Sequence, residues 1–139
     1  MQTISNFLLL ILLILLALSA LGRAHEIDDS AMSQLEYLYA RHDDDRLVRI
    51  ACSRALTGDP EGAFYLGAVF SEPESLYYKP KTSLLWLTIA KNEKYRMAET
   101  FINLVFPYLN EKEIQRTEDL AIKCKKTKFN ECTASDSIN

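Results

Sequence analysis

The chain has 139 residues, of which 48% are hydrophobic and 25% charged, and its formal net charge is −3. This length suits one small domain. The acidic balance excludes a protein that holds nucleic acid on a basic surface, because no basic stripe is present to displace counterions from phosphates.

The first segment predicts a targeting element rather than part of the fold. The nearly unbroken apolar run from Phe7 to Leu21 is shorter than the roughly 20 apolar residues that a membrane span needs, so it suits a signal-peptide core. Small residues at Ala20, Gly22 and Ala24 are compatible with cleavage. We therefore expect a signal peptide over residues 1–24 and a periplasmic or secreted protein. No Lys or Arg precedes Phe7, so an uncleaved anchor in the inner membrane, the one case with membrane contact, remains the alternative.

Apolar spacing over residues 25–126 predicts about six helices and no strand. We expect the helices to begin near Asp28 to Ser30, at Asp43, at Asp59, near Lys81, near Lys94 and at Asn110. Gly58 is expected to stop the second helix, Pro60 to occupy the first position of the third, and Asn110 with Glu113 to cap the last. Six helices joined by short links predict an all-α domain of antiparallel pairs. Residues 127–139 form a polar tail that we expect to fray.

Small and large residues recur at fixed steps along the third to fifth predicted helices. The positions concerned are Ala63, Leu66, Gly67, Phe70, Ser83, Leu84, Trp86, Ala90 and Ala98. Their pattern resembles a Sel-one-like repeat, the longer relative of the tetratricopeptide repeat, over Gly58 to about Lys123. The chain departs from the family where Leu84 replaces an alanine. The resemblance implies helix pairs stacked as a short right-handed solenoid that binds a protein and performs no chemistry, with Ala63, Gly67 and Ala98 buried where helices touch.

The three cysteines allow three disulfide pairings in an oxidising compartment. In some secreted members of the resembled family, cysteines at the spacing of Cys124 and Cys132 clip neighbouring helices, so the resemblance favours that pair. The alternative is Cys52 with Cys124, which would tie the last helix to an early one.

No residue pattern predicts catalysis. The run from His42 to Asp45 is interpreted as a helix cap, since Asp commonly starts helices. The chain has two histidines, too few to complete a typical zinc site with the cysteines. It also lacks a Gly-x-Ser-x-Gly elbow and a glycine-rich phosphate loop. We therefore predict a protein that is not an enzyme, with no catalytic residue, metal or cofactor.

A partner-binding surface is predicted in the connection between the third and fourth helices. Most Tyr and Trp residues are expected in or beside the core. Tyr77 and Tyr78 differ, because they lie in a connection with Glu72 and Glu74, and exposed tyrosine is effective at interfaces.

The sequence thus predicts an exported helical-repeat protein that binds a protein partner. A sharper version is an immunity protein against a toxin that acts in the periplasm, because acidity would steer a basic toxin. The alternative is a membrane-anchored scaffold or adaptor in envelope assembly.

Overall fold

The computed structural model describes residues 32–127, and this part of the chain contains helices and no strand. Its six α-helices are α1 Gln34–Ala40, α2 Asp44–Leu56, α3 Pro60–Ser71, α4 Pro80–Asn92, α5 Ala98–Val105 and α6 Glu111–Lys126. A 3-10 helix, Phe106–Tyr108, links α5 to α6. The predicted all-α class is confirmed, and the packing of the helix pairs is that of a short solenoid. Among these residues, no helix combines the length and apolar character that a bilayer crossing requires. The predicted signal peptide and all of the tail after Thr127 lie outside the described residues.

Local capping chemistry sets most helix ends. The Asn110 side chain accepts from the Glu113 N–H at 3.0 Å, and the Glu113 carboxylate accepts from the Asn110 N–H at 3.1 Å, which confirms the predicted capping box. Asp59 caps α3 with Pro60 at its first position, as expected. Gly58 ends the α2 segment with φ of 88°, a left-handed conformation that glycine adopts without steric cost.

The first helix begins later than expected. The predicted start at Asp28 to Ser30 lies outside the described residues, and α1 begins at Gln34. Ser33 supplies the cap, because its hydroxyl accepts a hydrogen bond from the Glu36 N–H at 3.1 Å.

The predicted start of the fifth helix at Lys94 is wrong. Lys94 has φ of 64°, and its N–H donates to the Lys91 carbonyl at 2.8 Å, so the residue closes the end of α4. The chain then turns through Tyr95 before α5 begins at Ala98. Met97, which immediately precedes α5, is 44% exposed.

Two central helices form the core. Every residue from Gly62 to Phe70 in α3 and from Thr82 to Ala90 in α4 is buried, which is the behaviour of helices covered on all sides. The positions expected to pack in the repeat are all buried: Ala63, Leu66, Gly67, Phe70, Trp86, Ala90 and Ala98. The larger Leu84 is also fully buried.

The α3 and α4 backbones approach closely at Gly67. A Cβ atom there would lie 2.7 Å from Leu87 Cγ and 3.0 Å from the Leu87 backbone nitrogen. The Ser83 hydroxyl donates to the Gly67 carbonyl at 2.7 Å across the same contact. Glycine at this position therefore sets the separation of the two central helices.

The remaining helices are arranged around this central pair. Helix α3 contacts α1, α2 and α5, whereas α4 contacts α5 and α6. Helices α5 and α6 pack on α4 and share few contacts with each other. The side of α3 that meets α1 and α5 carries the surface described next.

Candidate protein-binding surface

Tyr77 and Tyr78, which the sequence predicts to bind a partner, have different neighbours in the structure. Tyr77 is half-buried, its ring centroid lies 6.4 Å from that of Phe70, and its hydroxyl donates to Asp45 Oδ1 at 2.6 Å. The hydrogen bond to Asp45 is the main cause that raises the pKa of Tyr77. Tyr78 is also half-buried and meets Tyr108 edge to face, with 6.1 Å between ring centroids. Both rings thus have internal contacts.

The two predicted carboxylates also differ. Glu72 is half-buried at the end of α3, where its carboxylate is hydrogen-bonded with the Tyr39 hydroxyl. Glu74 is exposed in the connection. Glu72 therefore contacts Tyr39, and the role of the four residues in binding a partner stays a prediction.

An aromatic cluster joins α1, α3, α5 and the turn before α5. It consists of Tyr39, Phe64, Tyr65, Tyr95 and Phe101, and we call these five residues the aromatic face. Phe64 is at its centre, stacked on Tyr95 with 4.6 Å between ring centroids and edge-on to Phe101 at 5.1 Å. Tyr39 lies 5.6 Å from Tyr65 and 6.5 Å from Phe101. Aromatic pairs at these separations contribute about 0.5–1.5 kcal/mol each beyond the area they bury.

The aromatic face is not fully covered by the protein. Tyr39, Tyr95 and Phe101 are half-buried, whereas Phe64 and Tyr65 are buried beneath them. Its outer rings therefore offer apolar and hydrogen-bonding surface together, the combination that makes tyrosine effective at interfaces.

Carboxylates surround the tyrosine hydroxyls of the aromatic face. Burial is the largest cause that raises the pKa of Tyr39, followed by its hydrogen bond with Glu72. Burial also raises the pKa of Tyr65 and of Tyr95, and the negative charges of Glu36 and Glu61 add to the effect at both. These hydroxyls hence stay protonated at neutral pH and can donate hydrogen bonds.

An exposed apolar edge extends the aromatic face along α5. Met97, Phe101 and Leu104 are four and three residues apart, so they share one side of the helix. Ile102 and Val105, on the side toward the core, are buried, whereas Leu104 is 58% exposed. The apolar edge, Met97 and Leu104, thus adjoins Phe101 and leaves apolar surface in water.

Sequence reasoning missed this surface for a specific reason. The sequence places most tyrosines in or beside the core, and apolar spacing within one helix cannot separate a core stripe from an exposed stripe beside it. The available signal was that α5 carries two apolar sides, one with Ile102 and Val105 and another with Leu104.

The acidic run at the start of α2 has structural partners, as its interpretation as a cap implied. Asp43 caps α2, although its bond from the Arg46 N–H is long at 3.4 Å. Asp44 accepts from the Ser75 hydroxyl at 2.8 Å, and Asp45 accepts from Tyr77. Within residues 32–127, no group of three His, Cys, Asp or Glu side chains is placed to hold a metal ion.

The structure tests the alternative disulfide. Cys52 is a free, buried cysteine, so the pairing of Cys52 with Cys124 is wrong, and burial raises the pKa of the Cys52 thiol. Cys124 is fully buried on α6. Its favoured partner, Cys132, lies outside the described residues, and that pairing stays a prediction.

Comparisons with known proteins found no relative of this chain. No protein-family model, curated protein or solved structure matches this chain. The resemblance to Sel-one-like repeats therefore remains a prediction from the residues quoted above.

Proposed function

We propose that this chain is an exported, non-catalytic helical-repeat protein that binds a protein partner through its aromatic face and the apolar edge. The observation that carries the proposal is the 58% exposure of Leu104 beside half-buried aromatic rings. Burying a leucine side chain that is left in water contributes about 1.5–3 kcal/mol. Because Leu104 is already partly covered, a partner that covers the edge gains part of this free energy together with contacts to the rings.

The shape of the surface supports binding to a protein. The aromatic face draws its residues from three helices that the buried core fixes relative to each other, so the rings are held in place before a partner arrives. Such preorganisation lowers the entropy lost on association. Aromatic residues held this way are the typical centres of binding free energy at protein interfaces.

A matched pair of leucine substitutions tests the proposal. Leu104 belongs to the apolar edge, whereas Leu76 is completely exposed in the connection between α3 and α4. Tagged full-length protein would be used to capture partners from the envelope fraction as wild type, Leu104→Asp and Leu76→Asp. We expect one partner to be recovered by the wild type and Leu76→Asp and lost by Leu104→Asp, with unchanged melting temperatures.

Two results would contradict this assignment. Equal recovery by all three proteins would place the binding surface away from both leucines. Loss of the partner by Leu76→Asp alone would move the surface to the connection, where the sequence analysis had expected it at Tyr77 and Tyr78.

The narrower parts of the proposal rest on the sequence. Export depends on residues 1–24, which lie outside the described residues; N-terminal sequencing that finds a start between Leu21 and His25 would support it. Neutralisation of a periplasmic toxin and the alternative of an anchored scaffold are distinguished by the identity of the captured partner.

A further inference from the structure

The charges around the aromatic face indicate what kind of partner it accepts. Glu36 and Glu72 form no ion pair with a Lys or Arg of the described residues. Asp59 and Glu61, by contrast, are both paired with Arg54 at the start of α3. Glu36 and Glu72, which act on the tyrosine hydroxyls, therefore carry negative charge that no Lys or Arg of the described residues neutralises.

The cations near this surface do not neutralise those two carboxylates. The Arg41 guanidinium lies over the Tyr37 ring, 5.4 Å from its centroid. Lys94 and Arg96 flank Tyr95 in the chain, and both are exposed. The charged groups that act on the Tyr39, Tyr65 and Tyr95 hydroxyls are carboxylates and other tyrosines. Glu36 and Glu72 therefore have no cationic partner among the described residues and can pair with a cation of another molecule.

We infer that the aromatic face binds a cationic amphipathic segment of a partner protein, an inference that rests on the proposed function. Lys or Arg of such a segment would pair with Glu36 and Glu72, and their aliphatic stems would cover the tyrosine rings. The apolar side chains of the segment would cover Met97 and Leu104. An acidic segment would instead face Glu36 and Glu72 at close range, where like charges disfavour association.

Two synthetic helical peptides of about four turns, one of Leu and Lys and one of Leu and Glu, provide the probe. Each is labelled with fluorescein and titrated with the full-length protein while anisotropy is recorded. We expect saturable binding of the Leu/Lys peptide that weakens as salt is added, and no saturable binding of the Leu/Glu peptide.

Matched variants locate the binding. The double change Glu36→Gln and Glu72→Gln is expected to weaken binding of the Leu/Lys peptide about tenfold, which corresponds to about 1.4 kcal/mol. The control double change Glu74→Gln and Glu111→Gln removes the same charge from exposed carboxylates outside the aromatic face. We expect that control to bind almost as the wild type does. Leu104→Asp should also weaken binding, and Leu76→Asp should not.

The outcomes separate this inference from the proposed function. Saturable binding of the Leu/Glu peptide that is lost in Leu104→Asp would overturn the cationic partner and leave the aromatic face as the binding surface. Equal weakening by both glutamate pairs would overturn the inference, because net charge alone would explain attraction. Absence of saturable Leu/Lys binding would overturn it as well, whereas the capture of a partner with wild-type protein is a separate result.

Discussion

Single positions fix how closely the central helices approach. Gly67 allows α3 to lie against Leu87 of α4, and Gly62 does the same for α3 and α2, where a Cβ atom would meet Arg54 Cβ at 2.7 Å and the Ala55 nitrogen at 2.8 Å. Both contacts include backbone atoms or atoms next to the backbone. Neither can be relieved by rotating the end of a flexible side chain.

Gly67→Leu is therefore expected to lower the free energy of unfolding by about 1–3 kcal/mol or more, because the added side chain has no space beside Leu87. Urea denaturation would measure the free energy of unfolding through the fluorescence of Trp86, which is fully buried and is the one tryptophan of the chain. Thr100→Leu, at an exposed position of α5, is the control and should change stability by less than about 0.5 kcal/mol. Unchanged stability of Gly67→Leu would show that α3 and α4 are not held at this distance.

Most helix ends follow the chemistry of their capping residues. The exception is a turn in which a residue other than glycine adopts a left-handed conformation. Helices α2, α3 and α6 begin at the acidic and amide caps that the sequence analysis identified. The turn between α4 and α5 is different, because Lys94 occupies a left-handed conformation. No glycine in this segment indicated a turn, so the fifth helix was predicted to begin four residues too early.

Lys94→Gly tests this turn. A non-glycine residue in the left-handed region carries about 1–2 kcal/mol of steric cost, partly offset by the larger entropy of glycine in the unfolded chain. We expect the substitution to raise the free energy of unfolding by up to about 1 kcal/mol. Lys91→Gly, within the last turn of α4, should instead lower it by about 1 kcal/mol. A destabilisation of similar size in both variants would contradict a left-handed Lys94.

At the scale of the whole molecule, the tyrosines of the aromatic face connect α1, α3 and the turn before α5. Burial is the largest cause that raises the pKa values of Tyr39, Tyr65 and Tyr95, and nearby carboxylates add to it at each of them. The folded protein thus holds these protons to higher pH than the unfolded chain, whose tyrosines ionise near pH 10. The contribution to stability is complete below pH 10 and is lost as the pH rises above it.

We expect the free energy of unfolding to fall above about pH 10, and to fall less steeply in the double variant Tyr39→Phe and Tyr65→Phe. Urea denaturation at a series of pH values would give the change in the free energy of unfolding with pH for the wild type and for the double variant. Tyr108→Phe, at a 57% exposed position, serves as the control. Equal slopes for wild type and the double variant would show that these tyrosines ionise alike in the folded and unfolded states.

The sequence by itself determined the helical class, four of the helices to within a residue or two, and the packing positions of the repeat on one face of α3 and of α4. Those features depend on caps and on periodicity within one segment, which neighbouring residues specify. Gly67 is an example, since its place among large apolar residues on one helix face already indicated a close helix contact.

Only the tertiary structure decided which aromatic residues form a surface. Tyr39, Phe64 and Phe101 come together because α3 packs against both α1 and α5, and no local pattern encodes that arrangement. The same holds for α5, where Ile102 is buried by α4 and its neighbours while Leu104 remains exposed. Both are large and apolar, and what separates them is the direction in which the packed core holds the helix.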